Sequence, residues 1–381
     1  MAVRAEWPSG VAAAGMACGI KPGGVPDLGV LVADRPVAWA GSFTTNAAAA
    51  ACVRWSRSLL GKPARAVVVN SGNANACTGG AGEGAVATTA QVAAAAIGCK
   101  ASEVLVASTG VIGIPLEVDK IVDALPTALA NASSDPGRFA EAILTTDSTT
   151  KIAGASHGGA SVIGVGKGAA MIAPNMATML AFLVTDARVD GSLQQVLTSA
   201  VEASFNRISI DGCESTNDSV FLLSTEAVDV DTDALRLAVG TVCAELAEQM
   251  VRDAEGASRM VRIKVSGAAD DLIATELGRA VAQSALWRAA VHGADPNWGR
   301  VLAAAGAFER SLDLSRVQLA IGSEVVFADG EPCGSLDLAA KAMDAEEIEV
   351  SLSVGAGRGT GEILTADLSP DYVTLNAFGT T

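Results

Sequence analysis

The stretch 167–180 constrains the fold more than any other part of the sequence, because it places a threonine directly before a buried strand. Pro174 and Asn175 favour a turn, and the apolar run 179–184 has the length and composition of a strand inside a core. Thr178 is therefore expected at the N-terminal end of a buried strand, shortly after a turn.

This position suits a threonine that becomes a nucleophile when the chain is cut. If the bond between Ala177 and Thr178 breaks, the threonine gains an α-amino group with a pKa of about 7.7–8.0. One residue then carries both the nucleophile and the base. Apolar surroundings such as those of Thr178 are by themselves more typical of a core than of a catalytic site. The interpretation therefore depends on the other segments of the chain.

Composition and charge limit the partners of the chain. A length of 381 residues predicts two or three domains. A net charge of −16 disfavours nucleic-acid binding. The seven cysteines form no C-x-x-C pair, and Pro174 and Asn175 interrupt the most apolar stretch. We expect a cytoplasmic protein with reduced thiols, no metal, no signal peptide and no membrane span.

Strand and helix patterns are mixed without a regular order, which predicts layered α+β architecture rather than a doubly wound sheet. Runs rich in β-branched residues predict strands at 66–70, 103–107, 161–165, 179–185, 219–224, 260–265, 316–321 and 347–353. Apolar spacings of three and four predict helices at 82–97, 193–205, 232–254, 275–291 and 335–343. The glycine-rich segment 153–159 predicts a hairpin loop.

Two further motifs carry candidate chemistry. Thr109 and Gly110 follow an apolar strand, and a hydroxyl beside a glycine amide can aim two donors at an oxyanion. An ordinary strand-to-turn junction would have the same sequence. Lys167 is followed by Gly168 rather than Ser or Thr, which argues against a phosphate loop. We interpret Lys167 as an anchor for a carboxylate, with a solvated charge as the alternative.

Two polar runs and the two histidines are the remaining candidate features of the sequence. The runs 70–75 and 211–218 predict either turns or walls of an active site. His157 and His292 have no Gly-x-Ser-x-Gly nucleophile to partner, and we interpret both as structural. An acyl-transfer site without a histidine needs another base, which favours an N-terminal amine.

Taken together, these segments resemble the ornithine acetyltransferase family, the bifunctional arginine-biosynthesis acetyltransferases with an N-terminal nucleophile. The run Ala-Pro-Asn-Met-Ala-Thr-Met-Leu at 173–180 is the most specific part of the likeness. The likeness continues in order along the chain through 19–21, 43–46, 145–147, 204–209, 253–256, 293–300 and 372–376. One departure is the alanine run 47–51, where the family usually has a basic residue.

The resemblance implies a layered αββα self-cleaving fold with a smaller C-terminal α/β domain. It implies a cut into an α chain (1–177) and a β chain (178–381) that remain associated, as an α₂β₂ assembly. Thr178 would be the nucleophile, with Thr109 and Gly110 as the oxyanion hole. The implied substrate contacts are Thr145, Lys167, Thr178, Glu255, Asn376 and Thr381.

The implied reaction moves an acetyl group from N2-acetyl-L-ornithine to L-glutamate without a cofactor. Some members of the family also take acetyl-CoA as the donor, and the residues leave this co-substrate open. Two alternatives remain at this point. One is an aminopeptidase or amidase of the same self-cleaving superfamily, and the other is a non-catalytic amino-acid-binding protein.

The predicted cut can be tested directly. We expect intact-mass measurement of the purified protein to give two fragments, 1–177 and 178–381. Thr178→Ala should give one uncut chain close to the full 38.1 kDa, because the attacking hydroxyl is gone. Two fragments from the Thr178→Ala protein would contradict the hypothesis.

Overall fold

A computed structural model describes residues 6–173 and 179–379. Contacts divide the described residues into two compact units. The first unit runs through Asn206 and resumes at Cys213–Met250, and the second comprises Arg207–Gly212 and Val251–Gly379. The predicted turn at Pro174 and Asn175, the predicted cut between Ala177 and Thr178, and the contact residue Thr381 lie outside the described residues.

The described part of the chain forms two sheets with helices packed on them. Its strands are β1 (Val11–Met16), β2 (Leu28–Phe43), β3 (Ala64–Asn73), β4 (Val104–Val111), β5 (Lys151–His157), β6 (Ala160–Lys167), β7 (Leu180–Arg188), β8 (Ile208–Ser209), β9 (Ser219–Asp229), β10 (Met260–Ala268), β11 (Gln318–Ile321), β12 (Glu324–Ala328), β13 (Glu331–Pro332), β14 (Glu347–Ser353) and β15 (Gly359–Ala366). Its α-helices are α1 (Ala51–Arg57), α2 (Gly79–Ile97), α3 (Val118–Ala130), α4 (Gly137–Ala142), α5 (Leu193–Ala203), α6 (Thr232–Arg252), α7 (Asp271–Ala282), α8 (Ala285–His292), α9 (Trp298–Phe308), α10 (Leu336–Met343) and α11 (Pro370–Phe378). Within these ranges, no helix is long and apolar enough to cross a membrane.

The long strand β2 organises the sheet of the first unit. The strand order is β4-β3-β2-β9-β7-β6-β5, with β1 also paired to β2. The first half of β2 pairs with β1 and β3, and its second half, from Ala38 to Phe43, pairs with β9. One strand therefore joins both halves of the sheet, and apolar residues from the two halves share a single core.

A short column of aromatic rings fills this core, although aromatic residues make up only 4% of the chain. Phe182 of β7 stacks on Phe221 of β9 with ring centroids 5.5 Å apart. Phe139 of α4 meets Phe182 edge-on at 5.1 Å and also packs against Gly29 of β2. Such aromatic pairs stabilise a fold by more than the apolar area that they bury. The column thus connects the two halves of the sheet through side chains.

Helix α6 packs against β6, which has glycines where the helix approaches. A Cβ at Gly164 would lie 2.5 Å from Cγ1 of Val242, and one at Gly166 would lie 2.8 Å from Cε of Met250. On the other half of the sheet, Ser56 of α1 donates its hydroxyl to the carbonyl of Val106 in β4 at 2.8 Å. Helices therefore cover both halves of the sheet, as the layered α+β expectation requires.

The second unit has its own sheet and core. Its strand order is β13-β12-β11-β14-β10-β15-β8, with β10 parallel to β14 and antiparallel to β15. Helix α7 packs on β15, where Gly361 leaves no room for a Cβ against the backbone of Thr275. The expected mixed α+β fold is confirmed.

All eight predicted strands are present, but two local predictions were wrong. The single helix predicted at 275–291 is two helices, because the Ser284 hydroxyl accepts the amide of Trp287 at 3.3 Å and starts α8. The segment 153–159 is mostly strand β5. Only Gly158 and Gly159, with φ of 56° and 91°, form the turn to β6.

The fit between α6 and β6 gives a stability prediction. Gly164→Ala should lower the free energy of unfolding by about 1–3 kcal/mol, because its methyl group overpacks Val242. The matched control Gly84→Ala lies on an exposed turn of α2 with nothing within 4 Å of the new Cβ. It should raise the free energy of unfolding by about 0.5–1 kcal/mol. Urea unfolding of both variants tests this, and equal effects would contradict it.

Candidate active site

The ends of β3 and β4 approach each other closely at two glycines. Gly72 and Gly110 are register partners in this parallel pair. Gly110 has a φ of 130°, and a Cβ there would lie 2.3 Å from the carbonyl carbon of Gly72. No side chain fits, so glycine is required. Thr109, directly before it, is buried. The predicted hydroxyl-glycine pair thus lies at the end of a strand, and its role in binding an oxyanion stays a prediction.

Lys167 ends β6 with its side chain buried beside Thr109. Its Nζ donates to Oγ1 of Thr145 at 2.7 Å and to Oγ1 of Thr109 at 3.5 Å. Lys167 is only 2% exposed, so the alternative of a solvated charge is wrong. Three residues that the resemblance implied therefore meet at one point.

Asp147 is the buried anion beside this lysine. Its Oδ1 accepts the amide of Gly168 at 2.6 Å and Nζ of Lys151 at 2.8 Å. Its Oδ2 lies 3.7 Å from Nζ of Lys167. We call Asp147, Lys151 and Lys167 the charge cluster. Two cations face one carboxylate there, and buried charges are poorly screened, so the cluster can attract a further anion.

The charge cluster keeps Asp147 ionised. Burial by itself raises the pKa of this carboxyl group. The charges of Lys167 and Lys151, together with hydrogen bonds from Lys151 and Gly168, outweigh burial and hold the pKa at about 2. Asp147 is therefore a carboxylate at neutral pH and fixes the backbone after β6 through Gly168.

A cavity of about 510 Å³ opens beside the charge cluster, and its lining includes Lys21, Leu144, Thr145 and Asp147. This volume is typical of sites for small molecules. Nζ of Lys21 donates to the carbonyl of Leu144 at 3.0 Å. Burial lowers the pKa of Lys21, although the Asp27 carboxylate opposes the shift. Lys21 adds another basic group at the mouth of the site.

The polar run 211–218 ends beside the segments of β3 and β4 that lead to Thr109 and Gly110. Nδ2 of Asn217 donates to the carbonyls of Ala74 and Ser108, at 2.6 and 2.8 Å, and so ties together the segments that end β3 and β4. Asp218 accepts the amide of Met179 at 3.0 Å. Met179 is the first described residue after the predicted cut.

The polar run 70–75 contains the end of β3 and the two residues that follow it. Nδ2 of Asn70 donates to the carbonyl of Asn73 at 2.8 Å, and Oδ1 of Asn73 accepts the amide of Asn75 at 2.7 Å. These side chains satisfy nearby backbone groups, which is the usual role of asparagine in turns.

The second unit brings together two other implied contact residues. Nδ2 of Asn376 in α11 donates to Oε2 of Glu255 at 2.7 Å. Gly256 has a φ of 67°, and a Cβ there would lie 2.4 Å from the amide nitrogen of Tyr372. This close approach holds the segment that contains Glu255 against the start of α11.

The histidines lie in ordinary structural positions. His157 is exposed at the end of β5. Nδ1 of His292 lies 2.8 Å from Oδ2 of the buried Asp367. The other predicted site residues, Ala177, Thr178 and Thr381, lie outside the described residues.

Sequence reasoning did not give roles to Lys21, Lys151, Asp147 or Asp218. Asp147 and Lys151 are four residues apart, but the segment between them is not a helix, so the helical spacing rule gives no signal for this pair. Lys21 and Asp218 reach the site only through the arrangement of β2, β7 and β9, so no local pattern could have revealed them.

Comparison with known proteins identifies the family. Residues 12–381 match the family model described as the ArgJ family. A Thermus thermophilus relative, named arginine biosynthesis bifunctional protein ArgJ, is 45% identical over 389 residues, and the match covers 100% of both chains. The chain is therefore an acetyltransferase of arginine biosynthesis, the class of enzyme to which these relatives belong. It belongs to the ArgJ family.

Solved structures give matches of the same kind. A crystal structure of the arginine biosynthesis bifunctional protein from Bacillus halodurans is 33% identical, with a TM-score of 0.48, and covers 51% of this chain and 97% of that one. A crystal structure of ornithine acetyltransferase complexed with ornithine, from Mycobacterium tuberculosis, is 34% identical with a TM-score of 0.40. The match covers 45% of this chain and 96% of that chain.

The charge cluster gives a pH prediction. A depressed carboxyl pKa stabilises the fold above the unfolded pKa, near 3.8, and this contribution is lost as the pH falls towards about 2. Asp147→Asn should lower the free energy of unfolding by about 3–5 kcal/mol at neutral pH, because it removes the carboxylate that balances the charge of two buried lysines. Urea unfolding should show this difference shrinking below pH 4.

The exposed pair Arg54–Glu83 provides the control. Glu83→Gln should change the free energy of unfolding by less than about 1 kcal/mol at any pH. An Asp147→Asn deficit that does not depend on pH would refute the assignment.

Proposed function

We propose that this protein transfers an acetyl group from N2-acetyl-L-ornithine to L-glutamate through an acetyl ester on Oγ of Thr178. The chain first cuts itself between Ala177 and Thr178, and the new α-amine of Thr178 becomes the base. Membership of the ArgJ family supports this proposal.

One observation carries the assignment of the site. The buried Nζ of Lys167 hydrogen-bonds the hydroxyls of both Thr145 and Thr109. A buried ammonium with hydroxyl neighbours is a suitable partner for the carboxylate of an amino acid. Thr109 and the amide of Gly110 are suited to hold the oxyanion beside it. The amino-acid substrate is thus anchored next to the point where the acetyl carbonyl reacts.

The proposed reaction has two balanced halves. Oγ of Thr178 bonds to the acetyl carbon while its α-amine takes the hydroxyl proton. The bond from carbon to nitrogen then breaks, and ornithine leaves with that proton on its amine. The amine of glutamate next attacks the ester, and the reverse proton transfers restore Thr178. One amide replaces another of similar energy, so the transfer needs no external energy source or cofactor.

The remaining substrate contacts have complementary chemistry. Glu255 is suited to an ammonium group, and its partner Asn376 can donate or accept a hydrogen bond. Thr381 adds a hydroxyl. We further propose that the α and β chains assemble as α₂β₂ in the cytoplasm. Acetyl-CoA is a candidate second donor, which would add N-acetylglutamate synthesis.

Family membership favours transfer over the two alternatives, an aminopeptidase or amidase and a non-catalytic binding protein. Incubation of the protein with N2-acetyl-L-ornithine and L-glutamate should give N-acetyl-L-glutamate and ornithine in equal amounts. Mass spectrometry measures both products. Free acetate as the main product would indicate an amidase, and no turnover by cut protein would indicate a binding protein. A parallel incubation with acetyl-CoA and glutamate tests the second donor.

The role of Thr109 can be measured separately. Thr109→Ala should lower kcat by about 10²–10³-fold, because one oxyanion donor is lost. Thr89→Ala is the control, since its buried hydroxyl only bonds the carbonyl of Ala85 in α2. Thr89→Ala should leave kcat within about twofold of the wild-type value, because its hydroxyl bonds a carbonyl of its own helix. Comparable kcat losses in both variants would contradict the assignment.

A further inference from the structure

Asp218 has a buried carboxyl oxygen that no partner satisfies. The residue is 1% exposed. Its Oδ1 accepts the amide of Met179 at 3.0 Å, and the Ser215 side chain also hydrogen-bonds the carboxyl group. Its Oδ2 is buried, and among the described residues it has no hydrogen-bond partner. Buried polar atoms are almost always paired in folded proteins, so this oxygen calls for an explanation.

The place of Asp218 in the chain suggests which partner is missing. Met179 is bonded to Thr178, and consecutive Cα atoms are only about 3.8 Å apart. Both sides of Met179 are fixed, because its carbonyl also accepts the amide of Ser219 at 3.3 Å. The Asp218 carboxyl group is therefore held next to the residue at which the proposed β chain begins.

The proposed cut creates a new donor at that residue. Oγ of Thr178 attacks the carbonyl carbon of Ala177, the peptide bond to nitrogen breaks, and the hydroxyl proton ends on that nitrogen. Water then hydrolyses the ester, which frees the hydroxyl of Thr178 and the carboxylic acid of Ala177, and the proton of this acid passes to the amine. A single peptide N–H becomes an α-ammonium group with three donors.

We propose, on the basis of the proposed self-cleavage, that Asp218 is a positioning residue whose Oδ2 receives the α-ammonium group of Thr178 after the cut. This contact supplies the hydrogen-bond partner that Oδ2 lacks among the described residues. The terminal amine is held beside β7, where it can exchange a proton with its own hydroxyl.

Electrostatics give this contact a measurable consequence. Burial raises the pKa of Asp218 well above its usual range, Lys167 opposes the shift, and Glu214 adds to it. An ammonium group close to the carboxyl favours the carboxylate, and the carboxylate in turn favours the ammonium. Asp218 therefore raises the pKa of the Thr178 amine and makes it a stronger base.

The test compares pH profiles of the cut enzyme. kcat/KM for acetyl transfer should rise with pH as the amine loses its proton, because only the free amine acts as base. Asp218→Asn keeps the shape of the side chain and the acceptor for Met179 but removes the charge. We expect the acidic limb of its profile to move to lower pH by about one unit.

Asp27→Asn is the matched control. Asp27 is also fully buried in the first unit, but its carboxylate accepts the amides of Cys18, Gly19 and Lys21. This variant should melt at a lower temperature and keep the acidic limb in place. The control therefore shows whether a loss of stability by itself moves the acidic limb of the kcat/KM profile.

Each outcome decides between the possibilities. Asp218→Asn protein that is cut and has an unshifted limb overturns the inference but leaves the proposed function intact. Folded Asp218→Asn protein that stays uncut also overturns the inference, because it would place the role of Asp218 before the cut rather than after it. If Asp218→Asn does not fold, Ser215→Ala is the second test, because it removes one hydrogen-bond donor to Asp218. Ser215→Ala should move the acidic limb in the opposite direction, to higher pH. An acidic limb that does not move in this variant overturns the inference. Uncut wild-type protein would refute the proposed function itself.

Discussion

The buried charge cluster of Asp147, Lys151 and Lys167 is the interaction on which the candidate site depends. Removing charges from water is costly, and the cost is offset only when each charge has close partners. Asp147 achieves this by accepting hydrogen bonds from Lys151 and from the backbone of Gly168. The same carboxylate therefore orders the end of β6, where Lys167 also bonds two threonine hydroxyls. The proposed binding of an anionic substrate rests on the excess positive charge of this cluster.

The sheet brings the cluster to the other parts of the site. Lys167 and Leu180 are register partners at the matching ends of β6 and β7, and Leu180 pairs in turn with Ser219 of β9. Asn217, just before β9, bonds the carbonyls that follow β3 and lie within β4. Residues separated by more than 100 positions thus share one edge. The core holds them there with few aromatic rings, and glycines on β6 let α6 pack closely.

Sequence reasoning succeeded where the signal is local. Apolar β-branched runs such as 161–165 and 219–224 gave strands because a buried strand needs little else. It missed β2, whose exposed middle interrupts the apolar pattern, and it merged α7 with α8, because the serine cap at Ser284 resembles any other polar residue in a helix. Thr109 and Lys167 were singled out from their local sequence and Thr145 was added by the family likeness, whereas neither route gave a role to the partners Lys151 and Asp218.

The sequence by itself determined the α+β class, many of the strands and the family, and it nominated the threonines and the lysine of the candidate site. These follow from local periodicity and from an ordered series of specific motifs. Only the tertiary structure decided that Lys167 is buried and that Asp147 neutralises part of its neighbours' charge. It also decided that Asp218 bonds the amide of Met179 while its other oxygen has no partner among the described residues. Burial and pairing depend on which distant segments become neighbours, and strand register sets those neighbours through contacts that no local pattern records.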